Sequence, residues 1–395
     1  MRIGIDDTDS ARGMCTTYLG AVLRRRLEEE GFRVTGAYLL RLNPNVIWKT
    51  RGNAAICIEA EGDPDLAFRI ASECVEKHAD FEAENTNPGV VVSEEKIPPA
   101  FYYRAVRDFC ELSEATFLLE AAGARYRGYK NGRGLIGATA AVASVLPDRT
   151  YEFLAYRKPE RWGTRREVER ESLFLLDEKT FPHTWDTVDR KNDVVVCVPH
   201  TPDPVLYGIR GESALYVAYA VHFIRSEEPG IGQIYITNQG TDVHLIPGTI
   251  GDLEEGRSYL VKGTVAGVPE TLKGGHVVLM LENDGNLLRC MAYEPTKGFR
   301  DVVRSLRPGD RVAVAGSYKG ESLNLEKMCV MSLAAVREEV PPMCPACGKR
   351  MTSAGTGKGY KCKHCPERAR EGEVRYSQGR SSAAGTRSPP LPDAT

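Results

Sequence analysis

The chain begins Met1-Arg2-Ile3-Gly4-Ile5 and runs straight into Asp6-Asp7-Thr8-Asp9-Ser10. The opening five residues read as a short apolar strand, so three carboxylates crowd a strand exit. Like charges packed this densely repel one another unless a cation or a metal-bound polyphosphate sits among them. Asp6, Asp7 and Asp9 therefore point to a divalent-metal site, magnesium, for phosphoryl transfer. Just downstream, Gly13-Met14-Cys15-Thr16-Thr17 makes a glycine-hinged, hydroxyl-rich turn before the helical pattern Tyr18 to Glu30. Hydroxyls and free backbone amides at a helix start are natural phosphate ligands, which adds Thr8, Ser10, Gly13 and Thr17 to the candidates. The plainer reading, in which Asp9 or Ser10 caps the helix, accounts for one acidic residue and not three.

Outward from this point, the pattern to about Ala100 is strand, helix, strand, strand, helix, an α/β or α+β layer. Strands are expected at Arg33 to Leu42 and Ala54 to Ile58, and a helix over Asp65 to His78. Glu84-Asn85-Thr86-Asn87-Pro88-Gly89 is a turn by composition, and its amides and hydroxyls also suit a phosphate or nucleobase. A helix is expected over Ala100 to about Leu119. It is followed by a glycine-rich basic loop, Tyr126 to Ala138, in which Lys130 could meet phosphate although the spacing is neither Walker A nor the dinucleotide fingerprint. From Thr150 to Ile246 a second α/β stretch carries two polar constellations at strand ends, His200 to Glu212 and Thr237 to Asp242.

Arg257 to Val336 differs: five strand-like runs with a helical insert between the third and fourth give the order of an OB-fold barrel, a binder of single-stranded nucleic acid. Cys344-Pro345-Ala346-Cys347 and Cys362-Lys363-His364-Cys365 then form two CxxC knuckles, the spacing of a zinc ribbon with four thiolate ligands. The other cysteines among the chain's 11 stand singly, as core residues in a reducing compartment would. From Val340 onward there are ten Lys or Arg against four Asp or Glu, an excess of six. With a net charge of −2, eight excess negative charges remain on the body. A basic end on an acidic body suits a polyanionic partner. The 395 residues call for two to four domains. No apolar run approaches a membrane span, and a strand rather than a signal peptide opens the chain, so a cytoplasmic protein is expected.

Gly4 to Ser10, Gly13 to Tyr18, Asn85 to Gly89, His200 to Gly211 and Asn238-Gln239-Gly240-Thr241-Asp242 together resemble the TiaS family, the archaeal isoleucine-tRNA 2-agmatinylcytidine synthetases. The resemblance runs to about Cys365. It implies an α+β multidomain protein: a kinase-like α/β domain over 1–120 that can interleave with the next, a ferredoxin-like domain over 121–250, an OB-fold over 257–336 and a zinc ribbon over 340–368. The residues from about Glu371 to Thr395 match nothing in the family, and disorder is expected over 369–395. The implied activity is ATP-dependent joining of agmatine to C2 of the wobble cytidine in the isoleucine tRNA with a CAU anticodon. ATP goes to AMP and pyrophosphate, and the enzyme phosphorylates itself on a threonine that falls on Thr16. The OB-fold and ribbon would grip the tRNA body.

The chemistry agrees. A ring carbonyl oxygen is a very poor leaving group, so its replacement by nitrogen requires its conversion to a phosphate ester. Agmatine's guanidinium calls for a carboxylate able to accept two hydrogen bonds, with Asp203 first and Asp242 and Glu212 behind it, and Arg210 suits a phosphate. Asn238 and Gln239 could read the edge of the unstacked base. Two rivals differ in class: a non-catalytic tRNA-binding factor, which cleaves no ATP, and a small-molecule kinase, which turns over without tRNA.

Overall fold

A computed structural model describes residues 1–377, in two compact units, Met1–Ile246 and a second beginning at Pro247. In the first, β1 (Arg2–Asp6), α1 (Thr16–Glu29), β2 (Arg33–Arg41), β3 (Ala54–Glu61), α2 (Pro64–His78) and β4 (Gly89–Ser93) build a sheet in the order β4-β1-β3-β2, antiparallel throughout. Leu19, Leu23 and Leu27 of α1 and Ile70 and Val75 of α2 cover one face. Phe101 and Tyr102 of α3 (Pro99–Arg107) and Leu135 and Ala138 of α5 (Gly134–Ala143) lie in the core on the other. With both faces covered, β1 and β4 read as continuous apolar runs.

Two expectations for this half are corrected. The single helix over Ala100 to Leu119 is two, because the backbone turns extended at Asp108 and α4 (Leu112–Ala121) restarts on a capping box between Glu111 and Glu114. The division at residue 120 also fails, since β5 (Arg125–Gly128) pairs with β4 and α5 packs on β1 and β4, so both belong to the first half.

The second half runs β6 (Thr150–Arg157), α6 (Arg170–Thr180), β7 (Thr184–Trp185), a small hairpin of β8 (Val188–Asp189) and β9 (Val194–Val195), β10 (Val205–Gly211), α7 (Ala214–Val221) and β11 (Pro229–Thr237). Its sheet order, β11-β6-β10-β7, is antiparallel throughout. This is the ferredoxin-like arrangement, strand-helix-strand-strand-helix-strand with the fourth strand beside the first and the third between first and second. The first half, β1-α1-β2-β3-α2-β4, has the same connectivity and order. The halves join edge to edge where β2 and β11 run parallel, and only Tyr38↔Ile236 and Leu39↔Thr237 pair.

After β12 (Leu245–Gly248), the second unit holds β13 (Ser258–Val265), β14 (Glu270–Thr271), β15 (Val277–Asn283), β16 (Asn286–Ala292), α8 (Gly298–Arg304), β17 (Arg311–Lys319) and β18 (Ser322–Ser332). The ladder β13-β15-β16-β18-β17 closes back on β13, and only β16–β18 is parallel, as in an OB barrel. Val261, Leu279, Leu281, Cys290, Val312, Val314 and Leu323 are buried there. Beyond it lie β19 (Val336–Val340), β20 (Thr352–Ser353), β21 (Tyr360–Lys361), β22 (Arg368–Ala369) and β23 (Glu373–Ser377). β22 pairs with β21 and β23 with β19, so the disorder expected from residue 369 is corrected as far as Ser377: the backbone there is satisfied by strand ladders. The rest of the expected tail lies outside the described residues.

So short a seam between β2 and β11 needs reinforcement, and Asn238 supplies it. Its Oδ1 accepts from Arg41 N (2.7 Å), and its Nδ2 donates to Arg41 O (2.9 Å) and Tyr102 Oη (3.0 Å), so the amide acts as one more rung of the ladder. Asn238 is buried, and removing it strands two backbone groups. Asn238→Ala is expected to cost about 1–3 kcal/mol in denaturant unfolding. An unchanged midpoint would show that the clasp carries no weight.

Candidate active site

β1 delivers Asp6 to the sheet end, where α5 crosses it. Gly137 makes this possible: a Cβ there would stand 1.8 Å from Asp6 Oδ2. A Cβ on Gly89 would lie 2.2 Å from the Gly134 carbonyl carbon, so β4 and α5 also meet backbone to backbone. Asp7 follows with φ of +55°, a left-handed conformation uncommon outside glycine, and its carboxylate accepts from Arg133 Nη2 at 3.0 Å. The same nitrogen also donates to Trp48 O (3.2 Å) and Asn85 O (3.1 Å). Burial holds the Asp6 carboxyl well above its ordinary range, and the Asp7 charge raises it further. Burial also pushes Asp7 up to about 6, against the opposing pull of Arg133. Crowded, desolvated carboxylates of this kind are the donor set that a hard divalent cation fits.

Asp9 is committed differently. Its Oδ1 accepts both the backbone N–H and the hydroxyl of Thr16 (Oγ1 at 2.8 Å), and its Oδ2 accepts from Arg51 Nη2 at 2.9 Å. The capping alternative therefore holds for this one residue, which closes the N-terminus of α1. Arg51 also donates to the carbonyls of Ser10 (2.9 Å) and Met14, fixing the turn.

Asp9 and Thr16 stand in the walls of two adjoining cavities. The first is lined by Asp6, Asp7, Trp48, Phe109 and Arg133. The second contains Cys15, Thr17, Arg41, Glu152, Asp186, Asp203 and Arg210. Glu152, 3% exposed, lies 3.3 Å from Arg210 Nε and 3.4 Å from Arg41 Nη2. Asp203 accepts from Val205 N at 3.0 Å and from the Thr201 hydroxyl. Burial pushes the Cys15 thiol up to about 11, so beside Thr16 it stays protonated at neutral pH.

Of the residues expected at the site, Asp6, Asp7, Asp9, Thr16, Thr17, Asp203 and Arg210 line these cavities. The others do not. Thr8 is buried against Thr16, and Ser10 Oγ donates to Asp80 Oδ2 at 2.7 Å. Gly13 has φ of +146° and packs beside Pro202 O. Asn85 and Asn87 contribute backbone carbonyls, to Arg133 and to Gly134 N (2.9 Å). Lys130 Nζ binds the carbonyls of Ala83 (2.7 Å) and Glu84 (3.1 Å), so the basic loop gives Arg133 to the site instead. Glu212 is taken by His183 Nδ1 at 2.7 Å. Asn238 serves the seam, while Gln239 O accepts from Thr150 Oγ1 (2.7 Å) and Asp242 O from Leu245 N (2.8 Å), bonds that stay within the second half and its following turn. Arg51, Arg133, Glu152 and Asp186 escape the sequence reading. Arg133 stands in the basic loop already noted, and Glu152 carries a signal as an acid inside the apolar strand run Tyr151 to Tyr156.

In the second unit, Cys344 and Cys365 Sγ lie 3.3 Å apart and Cys347 and Cys362 Sγ 3.5 Å apart, with all four within 4.8 Å of one another. The His364 N–H donates to Cys362 Sγ and holds its thiol down at about 6. Four converging sulfurs fit tetrahedral zinc. Among the described residues no other group of three or more such side chains converges on one point.

With no divalent salt added, a carboxylate raised to about 6 stabilises the fold below its unfolded value and loses that contribution as pH rises through 6. The stability of the native sequence relative to Asp7→Asn is therefore expected to fall between about pH 4 and pH 6.5 and to level off above that range, measured by thermal unfolding. A constant difference would contradict the burial of Asp7.

Family models for the TiaS TCKD domain match residues 2–63 and 58–131, for the TiaS FLD domain residues 132–244, and for the TiaS C-terminal zinc ribbon domain residues 341–381. The isoleucine-tRNA 2-agmatinylcytidine synthetase TiaS of Methanocorpusculum labreanum is 53% identical over 372 residues, 94% of this chain and 90% of the relative. The crystal structure of a TiaS complex with its isoleucine tRNA and ATP superposes with a TM-score of 0.83 at 43% identity, covering 95% of this chain and 91% of that one. A TiaS complex with the same tRNA species, AMPCPP and agmatine gives 0.81 at 40% identity, covering 95% and 90%. Matched in both lobes and the ribbon, and along nearly the full length of such relatives, this chain belongs to the TiaS family.

Proposed function

We propose that this protein joins agmatine to C2 of the wobble cytidine in the isoleucine tRNA with a CAU anticodon, using ATP to activate the C2 oxygen as a phosphate ester. The observation that carries this reading is the position of Thr16: its hydroxyl is bonded to a carboxylate on a wall common to two cavities. A hydroxyl so placed can take a phosphoryl group from a nucleotide on one side and face the base and amine on the other. The solved relatives include complexes with isoleucine tRNA, ATP and agmatine, the three components that the chemistry requires.

In the first cavity, Trp48 and Phe109 offer flat surfaces to a nucleobase, and Asp6 and Asp7 would hold magnesium. Bound there, that ion would neutralise phosphate charge as the phosphoryl group moves. Arg133 holds Asp7 in place, and Asp9 takes the Thr16 proton. In the second cavity, Asp203 and Glu152 are the carboxylates for the guanidinium of agmatine, and Arg210 orients Glu152. The OB barrel and the zinc ribbon bind the tRNA body, and the protein works in the cytoplasm. Among the described residues no helix is long and apolar enough to cross a membrane.

The test is mass spectrometry of the wobble nucleoside after incubation with unmodified isoleucine tRNA, ATP, agmatine and magnesium. Conversion to 2-agmatinylcytidine is expected, with Thr16→Val at background. Unchanged cytidine with every component present would refute the reading, as would ATP turnover indifferent to tRNA.

A further inference from the structure

The hydroxyl of Thr16 has a fully specified surrounding, and one member of it has no part in binding. Thr8 is completely buried and lines neither cavity. Its backbone N–H donates to Thr16 Oγ1 at 3.3 Å and its hydroxyl to the same atom at 3.0 Å. The directions follow from chemistry. The N–H can only donate, and an ionised carboxylate can only accept. Asp9 Oδ1, at 2.8 Å, is a stronger acceptor than a neutral hydroxyl, so the Thr16 proton goes to Asp9 and the Thr8 proton is left to point at Thr16. Thr16 Oγ1 thus has its one proton aimed at a base and both lone pairs met by donors. Donors fixed on an oxygen favour its charged form and stabilise negative charge that develops there.

Resting on the phosphoryl-transfer reading above, we propose that Thr8 is a positioning residue for that step: it aims the Thr16 proton at Asp9 and supports the alkoxide as it forms. As Thr16 Oγ1 forms its bond to a phosphorus of ATP, the bridging P–O bond breaks and its electron pair leaves with the departing phosphate oxygen. The Thr16 proton passes to Asp9 Oδ1, which Arg51 holds in place from the other oxygen. The alkoxide keeps its two Thr8 donors and uses the electron pair freed by deprotonation for attack. Thr8 touches neither nucleotide nor base.

The full-length protein is compared with Thr8→Val, which keeps the shape and the N–H but lacks the hydroxyl, and with Thr8→Ser, which restores it. Phosphothreonine at Thr16 is followed by mass spectrometry across ATP concentrations, with thermal unfolding run alongside. Thr8→Val is expected to slow modification roughly tenfold to a hundredfold, with the KM for ATP and the unfolding midpoint unchanged, and Thr8→Ser to recover most of the rate. Thr8→Val modified as fast as the native sequence overturns the proposal. So does equal slowing of both variants with a lowered midpoint, which would mark a purely structural residue. Native protein never modified at Thr16 would remove the phosphoryl-transfer reading itself, and the proposal with it.

Discussion

The site depends on one steric fact: α5 lies so close to β1 and β4 that only glycine fits at the contacts. Gly137 sits over the Asp6 carboxylate, and Gly89 meets Gly134. This closeness takes water away from Asp6 and crowds Asp7 and Asp9 beside it. Desolvation and like charge then raise the Asp6 and Asp7 carboxyls and leave the cluster short of positive charge. Arg133 and Arg51 supply some of it, each from its own loop, and in doing so split the cluster by task. Asp6 and Asp7 face the first cavity, while Asp9 turns to Thr16. A cluster that is costly to the fold and held by its surroundings is how functional sites store free energy.

The second cavity has a different origin. It needs both ferredoxin-like halves, with Thr16, Arg41 and Arg51 from one and Glu152, Asp203 and Arg210 from the other. Yet only two residue pairs join the halves in the sheet. The Asn238 clasp on Arg41 and the Tyr235 hydroxyl, which donates to Thr17 O at 2.6 Å, hold the seam closed beside Thr16. Stability at the seam and geometry at the site are thus the same contacts.

Much of this was legible in the sequence. The barrel shows itself because each strand is bounded by turn residues and alternates, so local pattern alone gives its number and order. The four cysteines announce a metal by spacing, and three acids at a strand exit announce a charge to be neutralised. What could not be read is which polar loop faces a cavity. Asn238 and Lys130 look like ligands, but Asn238 is used up on the Arg41 backbone and the Tyr102 hydroxyl, and Lys130 on the carbonyls of Ala83 and Glu84, all far away in the chain. Arg51 gives no local sign at all, because its value lies in reaching Asp9, 42 residues earlier. The helical run after Ala100 misled for a related reason: the backbone turns extended at Asp108 and the helix restarts on the Glu111–Glu114 capping box, which propensity does not weigh.

The central claim is that Asp6 is kept in an unfavourable, dehydrated place because the reaction needs its charge. Asp6→Asn keeps the shape and removes that charge, so one protein can be measured for both ATP cleavage in the presence of tRNA and thermal unfolding. ATP cleavage is expected to fall by roughly a hundredfold or more while the unfolding midpoint holds or rises. Undiminished cleavage, or a loss of activity that merely tracks a loss of fold, would contradict the account.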